Sequence, residues 1–190
     1  MVPMRFMMTS EQQEILLQIA RSSIAAELHI DSSSVVDIPP ALQEKGASFV
    51  TLNLHGELRG CIGMLEAYRP LAEDVAANAA AAAFNDPRFY PLSSDEFAVV
   101  KISISVLSAA EELSFCSEAD LLTKIRPGID GLILQCGNKR GTFLPSVWKE
   151  LPDRELFFAH LKQKAGLPPD YWSEQIRLFR YTAEYFSEKE

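Results

Sequence analysis

The stretch from Ala47 to Met64 reads ASFVTLNLHGELRGCIGM, and it decides the fold of this chain. Apolar and polar side chains alternate from Ala47 to Leu54, which is the period of a strand with one buried face. The connection 55–57 contains a glycine and is typical of a hairpin, and residues 58–64 supply a second strand. We therefore expect the chain to build an antiparallel sheet around this hairpin.

The register of the hairpin follows from keeping one face apolar, because a shift by one residue would reverse the faces of a whole strand. We predict a three-residue loop with Gly56 at a positive φ, which sets Leu54 opposite Leu58 and Leu52 opposite Gly60. The other face of the hairpin is then polar. It carries Thr51, Asn53, Arg59 and Cys61.

The rest of the chain interleaves helical and strand patterns without the regular alternation of a parallel sheet. Ser10 and Gln13 have the spacing of a capping box at the start of the first helix. The predicted class is α+β, with a mainly antiparallel sheet flanked by helices. The predicted elements are helices over about 11–28, 71–84 and 153–165, a short helix after Ser117, a loop over 31–40, a strand over 97–107, a hairpin from 131–136 and 142–144, and a last strand over 176–186, for which helix is the alternative.

Composition limits the classes of protein that fit this chain. Its 190 residues are 47% hydrophobic and contain no linker-like stretch, so we expect one domain over 1–190 with a larger and a smaller lobe. The net charge of -8 disfavours a nucleic-acid partner, whose phosphates need cations. We expect neither a membrane span nor a signal peptide, including in the short apolar start Met1–Met8. Three scattered cysteines and three histidines predict a cytoplasmic protein without a disulfide framework, metal or cofactor.

The segment Leu58-Arg59-Gly60-Cys61-Ile62-Gly63 is the hexapeptide typical of the AMMECR family, and by it the chain resembles that family. Bacterial and archaeal members are often labelled AmmeMemoRadiSam system protein A. Further blocks of the family follow in order and cover nearly the whole chain. They are Asn78–Ala80, Phe84–Phe89 with Pro91-Leu92, Ile104–Leu107, Arg126–Gly128 with Asp130-Gly131, Arg140–Pro145 and Lys164–Leu167.

The resemblance implies a two-lobed α+β fold in which the residues of the motif line a cleft between the lobes. The name of the system implies association with a Memo-like protein and a radical S-adenosylmethionine enzyme. This chain lacks the three-cysteine cluster motif that such an enzyme needs, so it can only be the companion. The resemblance does not imply a molecular activity.

Cys61 is the predicted reacting group, as a nucleophile or an acid-base group, because cations and backbone amides can activate a thiol. Arg59 shares its face as an anion clamp, and Gly60 would let a ligand approach the backbone. Arg88 could bring a second guanidinium and Arg140 an anion-binding turn. The predicted substrate-contacting set is therefore Arg59, Gly60, Thr51, Asn53, Arg88 and Arg140.

Each of these residues also has a structural interpretation. Cys61 could be a small packed side chain, and Arg59 could form an ion pair with Glu66 or Asp86. Two hypotheses about function therefore stay open. The chain is an enzyme or enzyme subunit acting on a small anionic substrate in a cleft beside Cys61, or it is a non-catalytic binding or scaffold subunit for the Memo-like and radical S-adenosylmethionine partners.

Overall fold

A computed structural model describes residues 8–30 and 37–189 of the chain. The chain divides into two compact units, one formed by the residues up to Leu107 together with those from Glu184 onward, and the other by Ser108–Ala183. That the whole forms one domain stays a prediction. The expectations for Met1–Met8 and for the loop 31–40 fall mainly on residues 1–7 and 31–36, which lie outside the described residues.

The described residues form helices and antiparallel strands in both units, which confirms the predicted α+β class. In the first unit the strand order is β2-β1-β4-β9, with β3 beside β1, and in the second it is β5-β8-β6-β7. The helices are α1 (Ser10–Glu27), α2 (Pro40–Gln43), α3 (Leu71–Phe84), α4 (Ser94–Val99), α5 (Glu118–Lys124) and α6 (Arg154–Lys164), with a 3-10 turn at Pro145–Lys149. The strands are β1 (Lys45–Leu54), β2 (Glu57–Gly63), β3 (Arg69–Pro70), β4 (Lys101–Leu107), β5 (Glu111–Leu113), β6 (Gly131–Cys136), β7 (Lys139–Phe143), β8 (Arg177–Tyr181) and β9 (Ala183–Ser187).

The hairpin of β1 and β2 departs from the predicted register at its tip. His55 and Gly56 both have positive φ, 52° and 85°, so they form a two-residue turn and Leu54 pairs with Glu57. The register then shifts between Leu52 and Asn53, which leaves Arg59 as an extra residue in β2. Beyond this bulge the pairs are those predicted, Leu52 with Gly60 and Thr51 with Cys61. The shorter turn alone would have moved the side chains of β2 to the opposite faces of the sheet. The bulge returns them to the predicted faces.

Three other boundaries differ from the sequence expectation. Thr9, with Gln12, caps α1 one residue earlier than the predicted Ser10 and Gln13. The predicted strand 97–107 begins only at Lys101, because a capping box formed by Ser93 and Glu96 starts the short helix α4. The predicted last strand is divided at Thr182 into β8 and β9, which belong to different sheets.

Helices α1 and α3 cover one face of the first sheet. The buried side chains of that face come from alternate residues of β1 and β4, namely Val50, Leu52, Ile102 and Ile104. Gly60 lies on the same face, and a Cβ built there would lie 2.1 Å from the carbonyl oxygen of Ala82 in α3. The contact explains why a glycine in β2 faces the alanine-rich helix: any side chain would push strand and helix apart.

The residues from Glu184 onward, which follow the second unit in the sequence, belong to the first unit. Glu184 of β9 accepts hydrogen bonds from the Met8 N–H and the Gln13 amide at 3.0 Å. Glu188 pairs with Arg21 of α1 at 2.6 Å. Phe186 belongs to the core between α1, α3 and the sheet. The first unit is therefore built from two segments that are far apart in the sequence.

The second unit has its own core between its sheet and helices α5 and α6. Phe157 and Phe158 of α6 are fully buried, and Trp148 stacks on Phe157 with 3.7 Å between the ring centroids. The turn before β6 is closed by Arg126, which pairs with the buried Asp130. No helix in the described ranges is long and apolar enough to cross a membrane.

Replacing Gly60 by Ala should lower the free energy of unfolding by about 1–3 kcal/mol, because the new methyl group meets a helix carbonyl rather than a movable side chain. The matched control is Gly56→Asn, since nothing lies within 4 Å of Gly56 and Asn tolerates a positive φ. Urea unfolding measures both. Equal stability of the two variants would contradict the proposed contact with α3.

Candidate functional site

Strand β2 lies at the edge of its sheet, and two side chains satisfy the backbone of Cys61 there. The Cys61 N–H donates to Asp86 Oδ2 at 2.9 Å, and the Cys61 carbonyl accepts from Arg88 Nη2 at 3.4 Å. An aspartate and an arginine thus take the place of a neighbouring strand. They also close this part of the edge to another chain.

Asp86 and Arg88 form a tight pair beside Cys61. The Asp86 side chain is only 2% exposed, whereas that of Arg88 is 53% exposed. Hydrogen bonding from Arg88 is the main cause that holds the pKa of Asp86 well below its usual range, and the Cys61 N–H acts in the same direction. The pKa of Arg88 is raised, mainly by its hydrogen bonds to Asp86 and to a smaller extent by electrostatic interaction with Cys61. At neutral pH a cation therefore lies beside Cys61.

The half-buried Cys61 thiol lies on the polar face of the hairpin, as the sequence predicts. Its Sγ atom is 3.2 Å from Thr51 Oγ1, and Thr51 lies between Cys61 on one side and Ser103 of β4 on the other. Among the described residues, Thr51 alone forms a hydrogen bond with the thiol. His55, the histidine nearest in sequence, is exposed at the turn of the hairpin.

Arg59, the bulged residue, is held by α4. Its Nε and Nη2 atoms donate to the two carboxylate oxygens of Glu96 at 2.8 and 3.0 Å, and Nη2 also donates to the Tyr90 carbonyl at 2.9 Å. The Arg59 side chain is 11% exposed, and its buried Nη1 has no hydrogen-bond partner among the described residues. Chiefly because of the Arg59 hydrogen bond, the pKa of Glu96 falls to about 2.

Both arginines of the site lie against the ring of Phe89. The guanidinium carbon of Arg59 lies 5.7 Å from the centroid of its ring, and that of Arg88 lies 5.5 Å from it. Such distances allow cation–π attraction from both side chains. The site therefore contains one thiol and two guanidiniums, each oriented by a carboxylate.

The structure brings together Thr51, Cys61, Arg59 and Arg88. Asn53 follows Thr51 on the same face of β1, whereas Gly60 points to the other face, under α3. Arg140 belongs to the second unit, where it pairs with Gln135 in β7 and β6.

Sequence analysis missed Glu96 as the partner of Arg59, having considered Glu66 and Asp86. The capping pattern Ser93-x-x-Glu96 could have predicted α4. That Glu96 meets Arg59 depends on tertiary structure, which no local signal carries. Among residues 8–30 and 37–189, no three His, Cys, Asp or Glu side chains lie together as they would to hold a metal ion.

Comparisons with known proteins give matches over nearly the whole chain. A family model described as AMMECR1 matches residues 17–186. A protein from Methanothermobacter thermautotrophicus is 37% identical over 187 residues, which cover 95% of this chain and 96% of that protein. Protein SSO0193 from Saccharolobus solfataricus is 40% identical over 189 residues, which cover 95% of this chain and 83% of that protein. The crystal structure of the uncharacterized protein PH0010 from Pyrococcus horikoshii matches with a TM-score of 0.85 at 37% identity, covering 96% of this chain and 94% of that one.

The ion pair between Arg59 and Glu96 should make stability depend on pH. Because the pKa of Glu96 is lowered from 4.5 to about 2, its contribution is complete above the unfolded value and is lost as the pH falls through the folded one. The difference in free energy of unfolding between wild type and Glu96→Gln should therefore shrink from about pH 6 to about pH 2.5. Urea unfolding at each pH measures it.

The control for this experiment is Cys61→Ala, which leaves the ion pair in place and should keep the pH dependence of the wild type. A difference between wild type and Glu96→Gln that stays constant over the whole pH range would contradict the role given to the pair.

Proposed function

The chain belongs to the AMMECR1 family, and we propose that it is an enzyme or enzyme subunit that acts on a small anionic substrate beside Cys61. One observation carries the proposal: the half-buried thiol of Cys61 and the half-exposed guanidinium of Arg88 meet at the same residue of β2. A thiol next to a fixed cation is suited to reaction with an anionic molecule.

Each residue of the site has a distinct proposed role. Cys61 is the reacting group, and the Thr51 hydroxyl holds its sulfur at 3.2 Å. Arg88 binds the negative charge of the substrate, while the buried Asp86 fixes the position of the guanidinium. Asn53 follows on the same face of β1, and its proposed role is to contact the polar remainder of the substrate.

A second candidate function is that of a scaffold subunit for a Memo-like protein and a radical S-adenosylmethionine enzyme. It is favoured by two apolar side chains that flank Arg59 and face solvent, since Tyr90 is 90% exposed and Leu58 is 43% exposed. Exposed aromatic residues are enriched at protein interfaces. The lack of a base against the thiol, among the described residues, is also consistent with binding rather than catalysis.

Charge-selective alkylation tests the proposed thiol site. Anionic iodoacetate and neutral iodoacetamide should react with Cys61 in a ratio at least about threefold above that at Cys116, because the exposed N–H donors of Arg88 can bind the carboxylate of the anionic reagent beside the thiol. Peptide-resolved mass spectrometry reads out both thiols in the same sample. Arg88→Gln should lower the iodoacetate-to-iodoacetamide ratio at Cys61 and leave that ratio at Cys116 unchanged.

Cys116 is a control within the same chain, because it is exposed and its Sγ donates to a carboxylate oxygen of Asp120 at 3.5 Å. Equal reagent ratios at the two thiols in the wild-type protein would count against an anionic substrate. Complete resistance of Cys61 to both reagents would remove the thiol from the proposed chemistry.

Co-purification separates the two candidate functions. If the protein is a scaffold, a co-expressed Memo-like protein should be retained by Cys61→Ala and lost with Tyr90→Ala, since the latter removes exposed area without touching the thiol. Retention by both variants, or failure of the wild-type chain to retain that protein, would contradict the scaffold.

A further inference from the structure

Arg59 and Arg88 are held by carboxylates in the same way. In each, the Nε and Nη2 atoms donate to the two oxygens of one carboxylate, that of Glu96 for Arg59 and that of Asp86 for Arg88. A planar guanidinium has two edges that can each bind two oxygens of one acceptor. The side edge is occupied in both residues, and the end edge, formed by Nη1 and Nη2, is turned away from the carboxylate.

The end edges are incompletely used. Nη2 of Arg59 donates to the Tyr90 carbonyl and Nη2 of Arg88 to the Cys61 carbonyl, but no described residue accepts from either Nη1. For Arg59 this donor is also shielded from solvent. A buried donor without an acceptor destabilises the folded state, and more so when it is charged. A fold does not keep such a group without a reason, and an acceptor supplied by a ligand is one.

We propose that Arg59 and Arg88 together bind an oxyanion group, a phosphate or a carboxylate, of the molecule that occupies the Cys61 site. Its place beside Cys61 rests on the proposed function, but binding of the oxyanion does not require the thiol. Arg88 is the outer contact, because it is half exposed, and Arg59 is the inner one. Both guanidiniums lie against the same ring, that of Phe89.

The carboxylates paired with the two arginines determine how selective and how salt-dependent this binding is. Glu96 and Asp86 formally neutralise the two guanidiniums, so the attraction comes from oriented N–H donors rather than from excess positive charge. Binding should therefore be selective for oxyanions over chloride and only weakly dependent on salt. A cationic surface patch would instead lose affinity steeply as salt is added.

Arg177 provides a matched control elsewhere in the chain. It is held by Glu112 through the same two atoms, at 2.7 and 2.8 Å, and lies over Phe179 at 5.1 Å. It therefore reproduces the carboxylate and the ring. Within the described part of the chain, no second arginine lies against the Phe179 ring, and Arg177 has no buried Nη1 without a partner.

The experiment titrates inorganic phosphate, and separately acetate, into the full-length Cys61→Ala protein, with chloride at equal ionic strength as the reference. Binding is followed in the NMR spectrum through the arginine Nε–Hε signals. We expect saturable binding of at least one oxyanion, an apparent Kd raised about tenfold or more by Arg88→Gln, and no change with Arg177→Gln. Comparison of the two titrations tells whether the site takes phosphate or carboxylate.

Arg59→Lys is the second variant, because lysine keeps the charge but cannot bind Glu96 and the ligand through separate edges. If the Arg59→Lys protein folds, its apparent Kd for the oxyanion should be higher than that of the parent protein. If it does not fold, the proposal is judged on Arg88→Gln alone. The proposal would be overturned if neither phosphate nor acetate bound. Equal effects of Arg88→Gln and Arg177→Gln on the apparent Kd would also overturn it. These results are independent of thiol alkylation, since the protein used has no thiol at residue 61.

Discussion

The backbone of Cys61 at the edge of the first sheet must find hydrogen-bond partners outside the sheet, and much of the site follows from how it does so. Asp86 and Arg88 provide them, which fixes the segment after α3 against β2. Once that segment is fixed, Phe89 and the Tyr90 carbonyl lie at the Arg59 guanidinium. The hydrogen bonds that the Cys61 backbone needs thus position the side chains around the thiol.

Several residues in the segments that resemble the family make close contacts within the fold. Gly60 allows β2 to approach the carbonyl of Ala82, and Gly141 lies against the backbone of Ala165 in the second unit. Asp130, fully buried, closes its turn with Arg126. A sequence pattern of this kind predicts architecture better than it predicts chemistry, because close contacts between backbones tolerate few alternatives.

The sequence predicted the α+β class, the central hairpin and the proximity of Thr51 and Cys61, because these follow from the alternation of apolar residues. It did not predict the two-residue turn, because that turn without a bulge would set Leu52 opposite Arg59 and mix apolar with charged residues on one face. The bulge at Arg59 compensates for the turn and was missed with it. The pairing of Arg59 with Glu96 joins residues 37 positions apart and has no local signature.

The discontinuous first unit has a consequence for the order in which the protein forms on the ribosome. Glu184, Phe186 and Glu188 contribute an ion pair, hydrogen bonds and core contacts to α1 and the sheet. They leave the ribosome only after all of residues 108–183 has been synthesised. The contacts that β9 and Glu188 make with α1 and the sheet can therefore form only after the second unit, which is continuous in sequence, has been synthesised in full.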